Sequence, residues 1–369
     1  MSSSWLEEDP WLRSVATAVE TAIAPKAACL DRDPQTLREG FHWLGEQGWL
    51  HLHGGITLAE GDRPVSSLQA GQFREVLARY SGALAFLQVQ HQSAGATIAT
   101  SPNHKLRDAY LPGLASGDRA LGIGFSHLRR QPPPVTARPV PGGYRITGTI
   151  PWATGWGCFE ELIGAAVLED GRSVFGLIPF QDQPNLQVGE PMELAAFRAT
   201  QTVTVEFDDW FLPEDRVLHV RPSDWIAQND RKKPLFASFF ALGCTQGSLD
   251  VLNQCLTWRQ GLGGELEESI RAIATELHQC RTVIHGHYRN NRPGESGDMG
   301  REEQLSWRGR AIALALNAAQ TALMASGGAA NHQDHPAQRL SREAMVFGVA
   351  GQTSDVLRTT LQAQRISTP

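Results

Sequence analysis

Between residues 327 and 358 lie several side chains that could ligate a metal or move a proton. His332 and His335 stand three residues apart with Asp334 between them, and imidazole and carboxylate groups are common zinc ligands. That spacing would align both histidines on a helix. However, Pro336 and the preceding Gly327-Gly328 favour a loop. We therefore expect no metal site here.

Two carboxylates of the same stretch, Glu343 and Asp355, are candidates for a general base. A positioned base typically contributes ~10²–10⁴-fold to a reaction rate. Glu343 stands close in the sequence to Arg339 and Arg342, and a salt bridge to one of these two arginines is favoured over proton transfer. The sequence thus leaves the catalytic residue unassigned.

Other recognisable site motifs are missing from the sequence. Gly122-x-Gly124 lacks the third glycine of a dinucleotide-binding turn and does not join a strand to a helix. Neither a phosphate-binding P-loop nor the Gly-x-Ser-x-Gly of a serine hydrolase occurs. The five cysteines form no C-x-x-C pair, which argues against zinc ligation and a disulfide framework.

The composition describes an ordinary globular protein. Hydrophobic residues make up 41% and charged residues 20% of the 369 residues, which is typical of folded chains, and the length suggests two or three domains. The net charge of −6 gives no reason to expect a nucleic acid partner. The N-terminus has no apolar signal region, and no window approaches the ~18 apolar residues of a membrane helix. We expect a cytoplasmic protein.

The elements that must position the candidate residues form three segments. Up to about residue 120 helical signals dominate, as at Asp33-Pro34, a capping side chain followed by a proline in the first helical position. Between about 122 and 218, short alternating runs separated by glycine and proline predict strands, among them 174–178 and 202–207. From Pro234 onward the helical pattern returns. This order predicts an α+β fold.

The predicted C-terminal helices have two further features. Gly243 and Gly247 lie four residues apart, so they would let a neighbouring helix pack closely. An alanine-rich helix is expected to end at Ser326, before Gly327-Gly328. A further helix is expected from residue 340 to about residue 362.

Five segments, in the same order, resemble the acyl-CoA dehydrogenase superfamily. They are YLPGLASG at 110–117, GYRITGTIPWAT at 143–154, FDDWFLP at 207–213, RQGLG at 259–263 and the stretch 327–358. The resemblance covers roughly residues 35 to 360. It implies an N-terminal helical domain over 1–120, a middle antiparallel β-barrel-like domain over 121–218 and a C-terminal four-helix-bundle domain over 219–369.

The resemblance also implies FAD as the cofactor. The residues at the family's cofactor-binding positions are Ser126, Trp152, Thr154, Arg259, Leu262, Gly327, Gly328 and Thr353. Trp152 offers a flat apolar surface and Thr154 a hydroxyl for the flavin ring, while the planar fork of Arg259 suits a pyrophosphate. In the family this arginine reaches the cofactor of a neighbouring subunit, so a homodimer or homotetramer is implied.

The same alignment shows that the usual proton-abstracting carboxylate is missing. In many members of the family, a glutamate in a Glu-Gly-Thr triplet removes the substrate's α-proton, and here Gly351 stands at that position. Some members place the base on the first C-terminal helix instead, where the matching position is near Ala237. Neither residue can accept a proton, so Asp355 and Glu343 are the candidates for a relocated base.

Three functions remain open. The chain is expected to be an FAD-dependent oxidoreductase that oxidises the Cα–Cβ bond of an acyl thioester such as an acyl-CoA, with an electron acceptor flavoprotein as partner. Alternatively, it is a flavin-dependent monooxygenase of the same fold, supplied by a flavin reductase, which needs no carboxylate at position 351. The third reading is a protein that binds a flavin or acyl group without catalysis or uses the fold as an interaction scaffold, because 126–132 keeps only the first hydroxyl of the family's phosphate loop.

Overall fold

The computed structural model describes residues 4–52, 65–232, 234–258, 263–290 and 299–364. Its first helices are α1 (Ser4–Glu7), α2 (Pro10–Ala22), α3 (Ala27–Arg32), α4 (Pro34–Glu46), α5 (Ser67–Tyr80), α6 (Gly82–Ala99) and α7 (His104–Tyr110). The strands are β1 (Leu121–Gly124), β2 (Val135–Val140), β3 (Gly143–Ala153), β4 (Glu161–Val167), β5 (Ser173–Pro179), β6 (Leu186–Val188), β7 (Val203–Pro213) and β8 (Val217–Arg221). The last helices are α8 (Trp225–Lys232), α9 (Ser238–Leu256), α10 (Gly263–Asn290), α11 (Arg301–Ser326), α12 (Pro336–Val349) and α13 (Ser354–Ala363). This order confirms the predicted α+β fold.

Helix starts in the N-terminal segment follow the capping signals of the sequence. The Asp33 carboxylate accepts the Thr36 amide at 2.8 Å, and Pro34 occupies the first position of α4. Ser66 and Gln69 form a reciprocal capping box at the start of α5. These caps determine where the two helices begin.

The strands form one mixed sheet in the order β6-β7-β3-β2-β4-β5-β8, with β1 beside β4. Most neighbouring strands run antiparallel, as expected, and β3 and β7 make a long antiparallel pair. The wholly antiparallel domain that was expected is corrected at β4, which pairs in parallel with both β1 and β2. The chain runs along β2, returns along β3 in the opposite direction, and turns once more before β4. Strand β4 therefore has the same direction as β2.

Helix α9 is the central element of the C-terminal helices. It packs against α5, α10, α11 and α12. By length and composition the segment Pro234–Leu256 could cross a membrane, but 78% of its apolar window is buried within the protein, as in a core helix. One continuous apolar core contains residues of all three segments. This core does not separate the segments from one another, and the domain boundaries at residues 120 and 218 stay a prediction.

Two glycines allow α9 to approach α5 closely. A Cβ atom at Gly243 would lie 2.3 Å from the carbonyl oxygen of Glu75, and one at Gly247 would lie 2.6 Å from that of Arg79. Both distances are too short for a side chain, so the spacing of the two helices requires glycine at these positions. This confirms the close packing that the sequence predicted.

The single helix predicted over 340–362 is wrong, because the chain forms α12 and α13 with Gly351 between them. Gly351 has φ +62°, a left-handed conformation that a right-handed helix cannot continue. Helix α13 then starts afresh, with the Thr353 side chain accepting the Val356 amide at 3.3 Å. Position 351 is therefore a turn between two helices.

The contact between α5 and α9 predicts that replacement of a glycine by alanine destabilises the protein inside the contact and stabilises it at a helical position with free space. Gly243→Ala should lower the free energy of unfolding by ~1–3 kcal/mol, because the added methyl group meets a backbone carbonyl in a packed interface. In the control Gly286→Ala on α10, the new Cβ meets no atom within 4 Å. Its better helix propensity should raise the free energy of unfolding by ~0.5–1 kcal/mol. Urea denaturation measures both, and effects of the same sign would contradict the packing argument.

Candidate functional site

Trp152 and Thr154 lie where β3 ends. The Trp152 ring is 46% exposed, a large solvent-facing apolar surface for a residue of the sheet. Thr154 is buried two residues later, with its hydroxyl oxygen 3.1 Å from that of Thr202. The end of β3 thus combines a flat apolar ring with a nearby hydroxyl, and a role of both in cofactor binding stays a prediction.

Three threonine hydroxyls connect this end of β3 to the preceding loop. The Thr200 hydroxyl donates to the Phe197 carbonyl at 2.7 Å, and its oxygen lies 3.4 Å from that of Thr202. Because the Thr200 hydrogen is already used, Thr202 has one hydrogen to give to either Thr200 or Thr154. If Thr202 donates to Thr200, Thr154 must donate its own hydrogen to Thr202 and has only lone pairs left for a ligand. If Thr202 donates to Thr154, the Thr154 hydrogen stays available to a ligand.

A row of aromatic rings leads from the same loop into the helical interior. The Phe197 ring lies between those of Phe86 and Phe347, at centroid distances of 5.4 and 5.8 Å. Phe347 stacks on Phe240 at 5.2 Å, and the guanidinium carbon of Arg74 lies 5.3 Å from the Phe240 centroid. Loop, α6, α12, α9 and α5 are thereby joined in one packed layer.

Arg308 on α11 connects the two positions where the family resemblance led us to look for a base. Its Nη1 donates to the Pro234 carbonyl at 3.1 Å and its Nη2 to the Gly351 carbonyl at 3.2 Å. Ala237 ends the short 3₁₀ turn that Pro234 begins. Arg308 therefore joins Gly351 to the turn that ends at Ala237, and it is a buried cation, the pKa of which is lowered by burial.

Glu343 is a structural carboxylate. One oxygen accepts from Arg339 Nη1 at 2.7 Å, and the other accepts the Gly82 amide at 3.0 Å at the start of α6. The residue is fully buried, and burial raises the pKa of its carboxyl group. Since both oxygens are occupied, Glu343 ties α12 to α6, and the predicted salt bridge is confirmed.

Asp355 is likewise held by neighbouring cations. Asp355 lies on the first turn of α13, and its carboxylate accepts a hydrogen bond of 2.7 Å from Arg301 at the start of α11. That hydrogen bond lowers the pKa of the Asp355 carboxyl group. The carboxylate whose charge reaches Arg308 is instead Asp230 on α8. Arg129 holds both oxygens of Asp230, at 2.8 and 2.6 Å. Neither acid is a free proton acceptor beside Gly351.

The predicted cofactor-binding residues outside β3 lie at element ends. Ser126 is exposed at the start of the turn after β1. Gly327 ends α11 with φ +65°, and a Cβ at Gly328 would meet no atom within 4 Å, so the backbone there is open to a close approach. In the described ranges, these residues share no hydrogen bond or ring contact with Trp152 or Thr154.

Thr353 uses its side-chain oxygen to cap α13. Arg259 and Leu262 lie outside the described residues.

The polar loop that was considered for metal binding joins α12 to α3. Asp334 pairs with Arg32. The His335 Nδ1 accepts the Ala337 amide at 3.2 Å, where α12 begins.

Sequence reasoning missed four residues of this region, namely Arg74, Thr202, Asp230 and Arg308. Arg74 and Arg308 are only 1% and 7% exposed, whereas charged residues on helices normally face solvent. Helix α5 is buried on every side from Ala70 to Ala78. Hydrophobic spacing identifies one buried face of a helix and therefore could not show this burial.

Comparison with known proteins agrees with the fold and the predicted family. Residues 7–118 match the model of the acyl-CoA dehydrogenase N-terminal domain. The chain is 24% identical over 375 residues to the mitochondrial isovaleryl-CoA dehydrogenase of Oryza sativa subsp. japonica, covering 95% of this chain and 89% of that protein. It is 25% identical to the 3-sulfinopropanoyl-CoA desulfinase of Variovorax paradoxus, with coverages of 92% and 89%.

A solved structure supports the same fold. The glutaryl-CoA dehydrogenase of Mycobacterium smegmatis in complex with FADH2 superposes with a TM-score of 0.80 at 18% identity, covering 96% of this chain and 94% of that one. The helical ends and middle sheet of this chain are therefore those of the acyl-CoA dehydrogenase fold.

The structural role of Glu343 predicts that removal of its partner destabilises the protein. Arg339→Met should lower the free energy of unfolding by ~3–5 kcal/mol, because it leaves a buried carboxylate unpaired. Arg172→Met removes an arginine from an exposed ion pair with Asp170 and serves as the control, with no measurable change expected. Chemical denaturation distinguishes the two, and an Arg339→Met variant as stable as the control would contradict the role assigned to Glu343.

Proposed function

We propose that this chain, a member of the acyl-CoA dehydrogenase superfamily by its N-terminal domain and its fold, is an FAD-dependent oxidoreductase that acts on the Cα–Cβ bond of an acyl thioester. The observation that carries the proposal is the half-exposed Trp152 ring beside the Thr154–Thr202 pair at the end of β3. We further propose a homodimer or homotetramer that passes electrons to an acceptor flavoprotein.

The residues at the end of β3 fit a flavin ring. An exposed tryptophan leaves a large apolar face in water, and stacking of a flat ligand would remove that face from solvent. The Thr154 hydroxyl can turn either a hydrogen or a lone pair toward such a ligand, through its exchangeable bonds with Thr202. When bound, FAD would supply the redox chemistry that amino-acid side chains lack.

The Arg308 site determines which reaction the chain can assist. Gly351 and the turn 234–237 provide no proton acceptor, and the group between them is cationic. A cation stabilises an anionic oxygen or carboxylate, but it does not remove an α-proton. Dehydrogenation would therefore proceed with weak help from the protein in the proton-transfer step.

This same lack of a base supports a second candidate function. A flavin-dependent monooxygenase supplied by a flavin reductase requires no carboxylate at position 351, since reduced flavin and O₂ carry its chemistry. The Arg308 cation would then orient the substrate. The dehydrogenase is our first proposal because one relative of this chain is named isovaleryl-CoA dehydrogenase.

The flavin site predicts a visible spectrum and a role for Trp152. The purified protein, reconstituted with FAD if necessary, should show flavin absorption, and Trp152→Ala should weaken flavin binding by about 10-fold because a stacking surface is lost. Trp156→Ala is the control, as Trp156 is also exposed at 37% but is not among the predicted contacts. Flavin fluorescence titration measures both affinities. If the wild-type protein binds no flavin, both proposed functions, the dehydrogenase and the monooxygenase, are refuted.

The two candidate reactions separate once flavin is bound. Anaerobic bleaching of the flavin by acyl-CoAs supports the dehydrogenase. Substrate-dependent oxygen uptake by the chemically reduced protein, with oxygen incorporated into the product, supports the monooxygenase.

Gly351→Glu tests the missing base. A Cβ there would lie 3.5 Å from Arg308 Nη2, so the new carboxylate can reach the site, although a side chain at φ +62° costs ~1–2 kcal/mol of stability. We expect acyl-CoA-dependent flavin reduction to accelerate by about 10-fold, less than the usual gain from a base because Arg308 would hold the carboxylate ionised. Gly351→Gln is equally large and strained but accepts no proton. Equal rates for the two variants would refute the positional argument.

A further inference from the structure

Arg74 on α5 is a buried cation to which the described residues offer no anionic partner. It is 1% exposed, and no described carboxylate lies within ion-pair distance of its guanidinium. Its Nη1 makes one long hydrogen bond, 3.5 Å, to the Phe236 carbonyl, while Nε and Nη2 have no partner. Burial lowers the pKa of Arg74 to about 9. A charge in this condition weakens the folded state, so a function is the better explanation for its presence.

The unused edge of Arg74 is the edge that other arginines of this protein use to bind carboxylates. Nε and Nη2 project side by side and match the two oxygens of a carboxylate. Three pairs show this geometry, namely Arg79–Asp250, Arg129–Asp230 and Arg310–Glu276. In Arg74 the same two donors are buried and unoccupied.

Aromatic rings hold the Arg74 guanidinium in place. Its central carbon lies 3.7 Å from the centroid of Phe236 and 5.3 Å from that of Phe240. Such rings attract the cation and restrict its plane. They offer no oxygen to its free edge, so the fork is oriented in advance for an outside anion.

Arg74 and Arg308 lie against the same short turn. Phe236, whose ring and carbonyl contact Arg74, belongs to the turn 234–237, and the Pro234 carbonyl of that turn accepts from Arg308. Helix α9 begins directly after it at Ser238, whose hydroxyl is fully buried and has no hydrogen-bond partner. The start of a long helix favours negative charge. The turn 234–237 therefore contacts two buried cations, and it leads into α9, the first residue positions of which have no side-chain cap.

We propose that the Nε–Nη2 edge of Arg74 binds a carboxylate or sulfinate at the far end of the acyl chain, so that the substrate is an acidic acyl thioester. This rests on the proposed function, in which the substrate is an acyl thioester. Arg74 is then a specificity-determining residue, because a neutral acyl chain leaves its two donors unpaired and an acidic one satisfies them.

The experiment compares CoA esters that differ in their end group, by calorimetric titration of the FAD-loaded protein. Glutaryl-CoA and pentanoyl-CoA have acyl chains of equal carbon number, and only the first ends in a carboxylate. We expect glutaryl-CoA to bind about 10- to 100-fold more tightly, as two charge-assisted hydrogen bonds would give. A third titration with 3-sulfinopropanoyl-CoA identifies which oxyanion is preferred.

Arg74→Met should abolish the preference for the acidic ester while leaving the affinity for pentanoyl-CoA unchanged. It should also raise the melting temperature, because an unpaired buried charge is replaced by an apolar side chain of similar length. Arg79→Met is the matched control on the same helix. The fork of Arg79 is already occupied by Asp250, so its loss should leave the preference intact.

Equal affinity of the wild type for all three esters would overturn the inference and leave the acyl thioester function standing. Flavin binding without affinity for any of the esters would overturn the acyl thioester function and the inference together. An Arg74→Met variant that melts at a lower temperature and keeps the preference would show that Arg74 serves only packing.

Discussion

The close approach of α9 to α5 is the constraint on which the candidate site depends. Gly243 and Gly247 bring the two helices together, and this places the start of α9 beside Arg74. The turn 234–237 then lies within reach of Arg308 on α11, which also holds the Gly351 carbonyl. A larger residue at either glycine would separate these groups. Helix packing, rather than any loop, therefore determines the geometry of the site.

The interior of this site has positive charge where the family resemblance led us to expect a carboxylate. Arg308 joins Gly351 to the turn that ends at Ala237, and Arg74 contacts the same turn. Glu343 and Asp355 are committed to arginines elsewhere. The region thus favours the binding of negative charge over the abstraction of protons, which is a different balance of interactions within the same fold.

Local signals in the sequence were enough for much of the fold. The cap at Asp33, the alternation in β7 and the glycine pair of α9 each specify structure through their own backbone or nearest neighbours. The α12–α13 break was missed because helical periodicity continues across Gly351, and only its left-handed conformation shows the turn. Arg74 was missed for another reason: its burial arises from α5 being enclosed on all sides, a property of the assembled helices.

The threonine chain at the end of β3 has a consequence for a redox centre. The hydroxyl of Thr202 can donate to Thr200 or to Thr154, and the Thr154 hydroxyl reorients with it, by rotation about two C–O bonds and with no heavy atom displaced. A ligand that changes from hydrogen-bond acceptor to donor as it gains electrons would find a partner in both states. The contribution of these hydroxyls to the reorganisation energy of such a ligand's site would accordingly be small.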